Sequence, residues 1–274
     1  MTGVQTCALP ILPRDVARMA ECLQGRVGRY VFISSVSVYA DFSRPNDESS
    51  DLARIDDVDT EVVDGRTYGA LKALCEEAVT SRFGDRALLI RPGLIVGPHD
   101  PTQRFTYWPA RVARAESGET VLVPGTAGAP VQFIDARDVA AFVLRASDGD
   151  LKGPFNLISA PGALTMGAVL DACASAAGSQ PRWRWASAQE IEGCGLKPWI
   201  ELPLWLQPAG DHAAFVLTDT RAAQAAGLAI RPLAQTVADT LAWYRSQPAD
   251  QQAFSKAGLS AEREAAALNA LLRG

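Results

Sequence analysis

The sequence predicts an α/β protein with an open parallel sheet and helices on both of its faces. Two patterns support this prediction. From Leu12 onward, short apolar segments alternate with segments of helical period. Polar residues follow directly after these apolar segments, at the carboxyl edge where open parallel sheets bind ligands. With 274 residues, 48% of them hydrophobic, the chain can bury one large core with a smaller lobe attached.

Composition excludes several classes of partner. The net charge is −5 and the basic residues are scattered, so we expect neither a nucleic-acid partner nor a membrane-surface partner. No apolar run approaches the roughly 18 residues of a membrane helix. Five cysteines without a C-x-x-C spacing and only two histidines indicate free thiols and no metal site. We therefore expect a cytoplasmic protein whose partner is a small molecule.

Residues 1–11 differ from the rest of the chain. Their sequence, MTGVQTCALPI, has neither strand alternation nor a helical period, and it resembles a translated sequencing-adapter scar. We therefore treat residues 1–11 as a non-native segment outside the fold. We assign 12–150 to the sheet-forming core and 151–274 mainly to a C-terminal lobe intertwined with that core.

The positions of proline and glycine and the spacing of apolar residues predict the individual helices and strands. The first helix has proline in its first turn and ends at Gly25, and the strand after it is apolar enough to be buried on both faces. Asp138 is expected to cap a later helix. The predicted helices span about 13–24, 66–82, 233–245 and 260–272, with another starting near 165, and the first two predicted strands span 29–33 and 87–91.

A candidate catalytic pair lies on the second predicted helix. Tyr68 and Lys72 are four residues apart, so they share one helix face. A cation about 5 Å from the phenol would lower the pKa of the tyrosine by roughly two units, which suits a general acid or base. The strand ending at Ser34-Ser35 and the strand ending at Arg91-Pro92-Gly93 reach the same sheet edge.

Three motifs in this order carry a family resemblance. They are Ser-Ser-Val-Ser-Val-Tyr at 34–39, Tyr-Gly-Ala-Leu-Lys at 68–72, and Arg-Pro followed by Gly-Pro at 91–98. Together they resemble the extended short-chain dehydrogenases/reductases, the NAD-dependent epimerase/dehydratase family. The resemblance implies a Rossmann-like doubly wound parallel sheet with a small C-terminal α/β lobe for the substrate.

The resemblance also implies residue roles. Ser35 would hydrogen-bond the reacting carbonyl or alcohol, and Tyr68 would transfer the proton. Lys72 would lower the pKa of Tyr68 and hold the ribose of NAD or NADP. The cofactor site implied by the resemblance comprises Ser34, Tyr68, Lys72, Arg91, Pro92 and Gly93.

One part of the family pattern is not found in this sequence. No Gly-rich turn for the pyrophosphate precedes Ser35, so the resemblance implies that the N-terminal strands of the sheet are missing, roughly two strand–helix units of about 30 residues each. We expect such a truncated chain to lack activity by itself. The intact protein is expected to be a homodimer that pairs through helices 13–24 and 66–82.

Three positions differ from the family pattern and bear on the substrate class. Leu94 stands where sugar-nucleotide enzymes of the family carry a diphosphate-binding asparagine, and Val36 and Ser37 replace the acidic pair of the dehydratases. An oxidoreductase acting on a small apolar or aromatic carbonyl or alcohol is therefore favoured. A nucleotide-sugar epimerase/dehydratase and a non-catalytic binding protein on the same fold are the alternatives. A serine hydrolase is a weaker alternative, because the sequence has no Gly-x-Ser-x-Gly nucleophile elbow around Ser35 and no histidine close to it.

The segment after Pro98 is expected to face the substrate. Arg104 and Arg111 are candidates to bind an anionic group, and Tyr107 and Trp108 are candidates for an aromatic wall. The predicted substrate residues are Ser37, His99, Arg104, Tyr107, Trp108 and Gln132.

Overall fold

The computed structural model describes residues 10–147 and 149–272. Its helices are α1 (Pro13–Leu23), α2 (Tyr68–Phe83), α3 (Tyr107–Ala113), α4 (Ala136–Ser147), α5 (Met166–Ala177), α6 (Ala188–Gly193), α7 (Arg221–Ala225), α8 (Leu233–Ser246) and α9 (Ala261–Leu271). Its strands are β1 (Tyr30–Ile33), β2 (Ala87–Pro92), β3 (Ile95–Val96), β4 (Thr120–Pro124), β5 (Pro130–Val131), β6 (Ile134–Asp135), β7 (Gly153–Leu157), β8 (Leu164–Thr165) and β9 (Arg182–Ala186).

These bounds confirm the predicted helices and strands to within two residues at each end. The α/β prediction is also confirmed, because parallel strands alternate with helices. Of the 1–11 segment, all but Pro10 and Ile11 lies outside the described residues. No helix in the described part of the chain is both long and apolar enough to cross a membrane.

The principal sheet has the strand order β1-β2-β7, and all its pairs are parallel. Every residue of the central strand β2 is buried. The expectation that β1 is buried on both faces is wrong. Phe32 is buried beneath α1 and α2, whereas Val31 and Ile33 on the opposite face are only partly covered. The reason is that β1 pairs with a neighbour on one side only within the described residues.

The second layer is built around the largest hydrophobic core. Helices α3, α5 and α8 pack together there beside the parallel pair β4-β9. Trp108 lies fully buried in this core and donates its indole N–H to the carbonyl of Pro203 at 2.9 Å. Chain segments from both sides of residue 150 therefore build this layer.

Helix α4 begins differently from the prediction. Asp138 was expected to be its cap, but the Asp135 carboxylate accepts the N–H of Arg137 at 2.9 Å. Asp138 lies within the first turn, where it accepts both the N–H and the Nε–H of Arg231. The cap is displaced by one turn because β6 ends at Asp135 and α4 follows it without a connecting residue.

A buried ion pair attaches the last helix to the second layer. Arg111 on α3 donates Nε–H to Glu264 on α9 at 2.6 Å, and both side chains are at least 95% buried. Glu264 also accepts the N–H of Leu122 on β4, while Arg111 reaches Glu119 at 2.6 Å. The sequence analysis proposed Arg111 as an anion-binding residue, but its guanidinium already pairs with Glu264 and Glu119.

Glu264→Ala should lower the free energy of unfolding by roughly 3 kcal/mol, because it removes one of the two carboxylates that pair with a buried guanidinium and leaves the N–H of Leu122 without a partner. Urea unfolding followed by circular dichroism measures the change. Glu262→Ala is the matched control in the same helical turn, where the side chain is exposed, and it should cost less than about 1 kcal/mol. Equal losses in the two variants would contradict a structural role for this pair.

Candidate functional site

A cleft of about 860 Å³ opens at the carboxyl edge of the principal sheet. Its walls come from the turn after β1, the start of α2, the loop after β2 and the segment 199–216. The volume lies in the range of small-molecule sites. Six of the predicted residues line this cleft: Ser35, Ser37, Tyr68, Gly93, Arg104 and Gln132.

The chain turns sharply after β1 and presents Ser35 to the cleft. Residues Val36–Val38 form a single 3₁₀ turn whose N-cap is Ser35. The Ser35 hydroxyl accepts the N–H of Ser37 at 3.1 Å, and the two hydroxyl oxygens are also 3.1 Å apart. The side chain of Ser35 is therefore held in place by local backbone geometry.

Helix α2 brings Tyr68 to the same point. The Asp64 carboxylate accepts the N–H groups of Arg66 and Thr67, and this fixes where the helix starts. At Gly69 the helix lies so close to the turn that a Cβ atom would be only 2.1 Å from the carbonyl oxygen of Ser37. Glycine is therefore required at position 69 for this approach of helix and turn.

Tyr68 and Ser35 both line the cleft. Burial raises the pKa of Tyr68 above its ordinary value, and the hydrogen bond from Ser35 opposes that rise. The sequence prediction that Lys72 lowers this pKa is not reflected in the geometry. Tyr68 is thus a protonated phenol at neutral pH, with Ser35 as its immediate partner.

Lys72 is fully buried and directed toward backbone carbonyls. Its ammonium donates to Ile33 at 2.6 Å and to Pro10 at 3.2 Å, and it lies 4.3 Å from the ring centroid of Phe32. Burial lowers the pKa of Lys72 to about 8. The Lys72 ammonium is therefore engaged by backbone carbonyls, whereas the sequence analysis expected it to act on Tyr68.

The residues predicted to bind the cofactor fall into two groups. Ser34, at the end of β1, has a buried hydroxyl without a hydrogen-bond partner in the described part of the chain. Gly93 lines the cleft directly after Pro92, and a Cβ there would overlap Ile158. Of Ser34, Lys72, Pro92 and Gly93, only Gly93 lines the cleft; Ser34 offers a buried hydroxyl without a partner in the described part of the chain, and the Lys72 ammonium is engaged with backbone carbonyls.

Arg91 belongs to a different network. It forms a two-point ion pair with Glu76 of α2, at 2.9 and 2.6 Å, and donates to the Tyr39 hydroxyl at 3.2 Å. Both charged side chains are about 96% buried or more. Arg91 therefore stabilises the contact between β2 and α2, and its guanidinium does not line the cleft.

The predicted substrate residues are also divided by the structure. Tyr107 and Trp108 are fully buried in the hydrophobic core, because α3 packs against α5 and α8. His99 is exposed, with its ring 5.2 Å from that of Trp243. None of these three lines the cleft. Only Ser37, Arg104 and Gln132 of the set do so.

Gln132 lines the cleft with its amide already engaged. Its NH₂ group donates to the carbonyls of Ser159 and Thr218, and its oxygen accepts the N–H of Thr218. We infer that this side chain joins two wall segments and has little capacity left for a ligand.

Sequence reasoning missed the aromatic wall of the cleft. Phe42, Trp199, His212 and Phe215 line it, and their rings form a connected group. They come from loops far apart in the chain and carry no motif. The only available signal was the density of tryptophan around residues 199–205.

Comparison with known proteins identifies the family. The profile of the NAD dependent epimerase/dehydratase family matches residues 13–157, more than half of the chain. The chain therefore belongs to this family, and its fold is of the Rossmann-like α/β type.

Individual relatives agree with this assignment. A dTDP-4-dehydro-6-deoxy-D-allose reductase from Streptomyces bikiniensis is 29% identical over 138 residues, which cover 48% of this chain and 41% of that protein. The chain thus matches less than half the length of that curated relative.

Two solved structures share the fold. UDP-glucuronic acid 4-epimerase from Bacillus cereus, in complex with NAD, superposes with a TM-score of 0.57 at 11% identity, covering 83% of this chain and 65% of that chain. dTDP-4-dehydrorhamnose reductase from Bacillus anthracis str. Ames, in complex with NADP, has a TM-score of 0.57 at 15% identity, with 86% and 72% covered.

Gly69→Ala should destabilise the protein by roughly 1–3 kcal/mol, because the new methyl group overlaps the Ser37 carbonyl. In an unconstrained helix the same change would stabilise by about 1 kcal/mol, so the sign is diagnostic. Urea unfolding measures it. Gly65→Ala is the control, since a Cβ there meets nothing within 4 Å. A stabilised Gly69→Ala variant would show that helix and turn are not in close contact.

Proposed function

We propose that this protein is an NAD(P)-dependent oxidoreductase that interconverts a small carbonyl compound and its alcohol, with Tyr68 as the proton donor and acceptor. The observation that carries the proposal is that Ser35 and Tyr68 line one cleft at the carboxyl edge of the sheet, where Ser35 lowers the pKa of the phenol. Family membership supports it, because relatives of this chain bind NAD or NADP.

The chain's own residues supply the proton chemistry. Tyr68 donates its phenolic proton to the oxygen of the carbonyl as negative charge develops there. Ser35 donates a hydrogen bond to the same oxygen and orients the phenol.

The nicotinamide end of NAD or NADP would be held by Ser34, Lys72, Pro92 and Gly93, and when bound it would supply or accept the hydride. Lys72 has three donors, two of which contact the carbonyls of Ile33 and Pro10.

Protonation of Tyr68 favours one direction at neutral pH. Burial raises the pKa of Tyr68, so the phenol carries the proton that reduction of a carbonyl requires. Oxidation of an alcohol requires the phenolate instead, and its fraction increases as the pH rises toward that pKa.

A nucleotide-sugar epimerase or dehydratase is the second candidate, because the matched relatives act on such sugars. Leu94, which lines the cleft, cannot donate a hydrogen bond to a diphosphate, and this favours the reductase. A non-catalytic binding protein is the third candidate, and the retained Ser35–Tyr68 pair disfavours it.

We also propose a cytoplasmic homodimer that pairs through α1 and α2. These helices pack against each other, and a groove of about 710 Å³ lies between their outer surfaces and residues 58–61. Exposed apolar side chains lie in this region, namely Met19 and Val58. The four cysteines of the described segments are free, as expected for a reducing compartment.

The test begins with titrations of NADH and NADPH, followed by tryptophan fluorescence. They are made with this chain and with a version extended at its N-terminus by the Gly-rich half of a family relative. Saturable binding by the extended protein supports the proposal. If neither protein binds either nucleotide, the nicotinamide assignment is wrong.

Tyr68→Phe should reduce the rate of carbonyl reduction by roughly 10²–10⁴-fold with nucleotide binding retained, because only proton donation is removed. The rate is measured as NADPH or NADH consumption with a panel of apolar ketones. Tyr244→Phe is the matched control, since that hydroxyl bonds the Gln252 carbonyl and does not line the cleft. Equal rates in wild type and Tyr68→Phe would overturn the assigned role.

A further inference from the structure

The guanidinium of Arg104 lies in the cleft without a charged partner. Its Nε–H is inaccessible to solvent and makes no hydrogen bond within the described residues. Its one specific contact there is with Trp199, whose ring centroid is 5.5 Å from the Cζ atom. This is within the range of a cation–π contact.

The nearest acidic group does not neutralise Arg104. Both oxygens of Asp100 are engaged within their own loop, where they accept from Thr102 and Phe105. Burial lowers the pKa of Arg104, and the charge of Asp100 only opposes that effect. A partly buried cation without a hydrogen-bonded counter-charge is costly, and an anionic ligand would offset that cost.

Trp199 is held beside Arg104 by a strained backbone. Its φ angle is +65°, in the left-handed region. The N–H of Ile200 donates to the carbonyl of Pro198 at 2.7 Å, which closes a three-residue γ-turn around Trp199. The N–H of Trp199 donates a hydrogen bond to the carbonyl of Trp205 at 3.0 Å. Such strain is typical of positions where a side chain is fixed for function.

We propose that Arg104 is a substrate-binding residue that recognises an oxyanion, a carboxylate or a phosphate, on the carbonyl substrate. The inference rests on the proposed function and names its substrate class: a small ketone or aldehyde with an apolar body and one anionic group. Trp199 and Phe215 contact the apolar body, while Ser35 and Tyr68 receive the carbonyl oxygen. The guanidinium fork suits either oxyanion through two parallel hydrogen bonds.

Two other polar side chains in the cleft are weaker candidates. Gln132 has its amide engaged with Ser159 and Thr218. Arg66 lines the cleft but is exposed, so its attraction for an anion is weakened by water and salt. Arg104 therefore combines partial burial with free donors.

Calorimetric titration of this chain tests the proposal with three probes of one shape: 4-acetylbenzoate, 4-acetylphenyl phosphate and the neutral 4-acetylbenzamide. At least one anion should bind roughly tenfold more tightly than the amide, since charge-assisted hydrogen bonds are the stronger ones. The tighter of the two anions identifies the preferred oxyanion.

Arg104→Leu should abolish this preference, and Arg104→Lys should retain part of it, because the charge remains without the planar fork. Arg66→Leu is the matched control and should keep the preference. The inference is overturned if neither anion binds better than the amide, including if no probe binds. It is equally overturned if the preference survives Arg104→Leu or disappears in Arg66→Leu.

The same titrations with Tyr68→Phe separate this inference from the proposed function. The anion preference should persist in Tyr68→Phe, because the phenol is not part of the anion site. An anion preference in this chain, combined with no turnover by the N-terminally extended protein, would reject the reductase and leave the Arg104 site standing. Turnover by the N-terminally extended protein without any anion preference would support the reductase and reject the Arg104 site.

Discussion

Helix α2 and the turn after β1 meet at a backbone contact that leaves no room for a side chain. Gly69 lies against the carbonyl of Ser37, and a Cβ atom would be 2.1 Å from that oxygen. Tyr68 precedes this glycine and Ser35 is the N-cap of the turn, so one contact sets the distance between the two hydroxyl groups. The proposed proton chemistry and the position of the cleft both depend on this approach.

A buried polar network joins the same helix to the sheet. The ion pair of Arg91 and Glu76 joins β2 to α2, and Tyr39 extends the network to Asn156 on β7 at 2.6 Å. Glu48, in the loop between β1 and α2, also belongs to this network, because it accepts the N–H of Asn156. A buried charge pair with this many partners specifies one arrangement of helix and strands. The same motif residues that mark the family thus serve the scaffold as well as the site.

The sequence predicted the fold more completely than the site. Helical period, glycine and proline punctuation, and apolar strands are local signals, and they placed α1, α2 and β2 within two residues. The Tyr68 and Ser35 motifs were likewise predicted to meet at one sheet edge. The element bounds were predictable because each depends on residues close together in the chain, whereas the meeting of Ser35 and Tyr68 follows from the rule that ligands bind at the carboxyl edge of a parallel sheet.

Properties set by distant contacts were not predictable in this way. Lys72 has the spacing to act on Tyr68, but the carbonyls of Ile33 and Pro10 bind its ammonium. Tyr107 and Trp108 looked like a substrate wall, yet α3 buries them, and Trp199 from a distant loop lines the cleft beside Arg104. Burial is decided by how helices pack, which no short motif records.

Carbon-13 NMR of tyrosine labelled at the ring carbon that bears the hydroxyl, followed over pH, tests the central claim most directly. The Tyr68 signal is assigned by its loss in Tyr68→Phe. The account predicts that the pKa of Tyr68 is above its ordinary value of about 10, and that Ser35→Ala raises it further by removing the opposing hydrogen bond. A Tyr68 pKa below the ordinary value, or one unchanged by Ser35→Ala, would contradict the account.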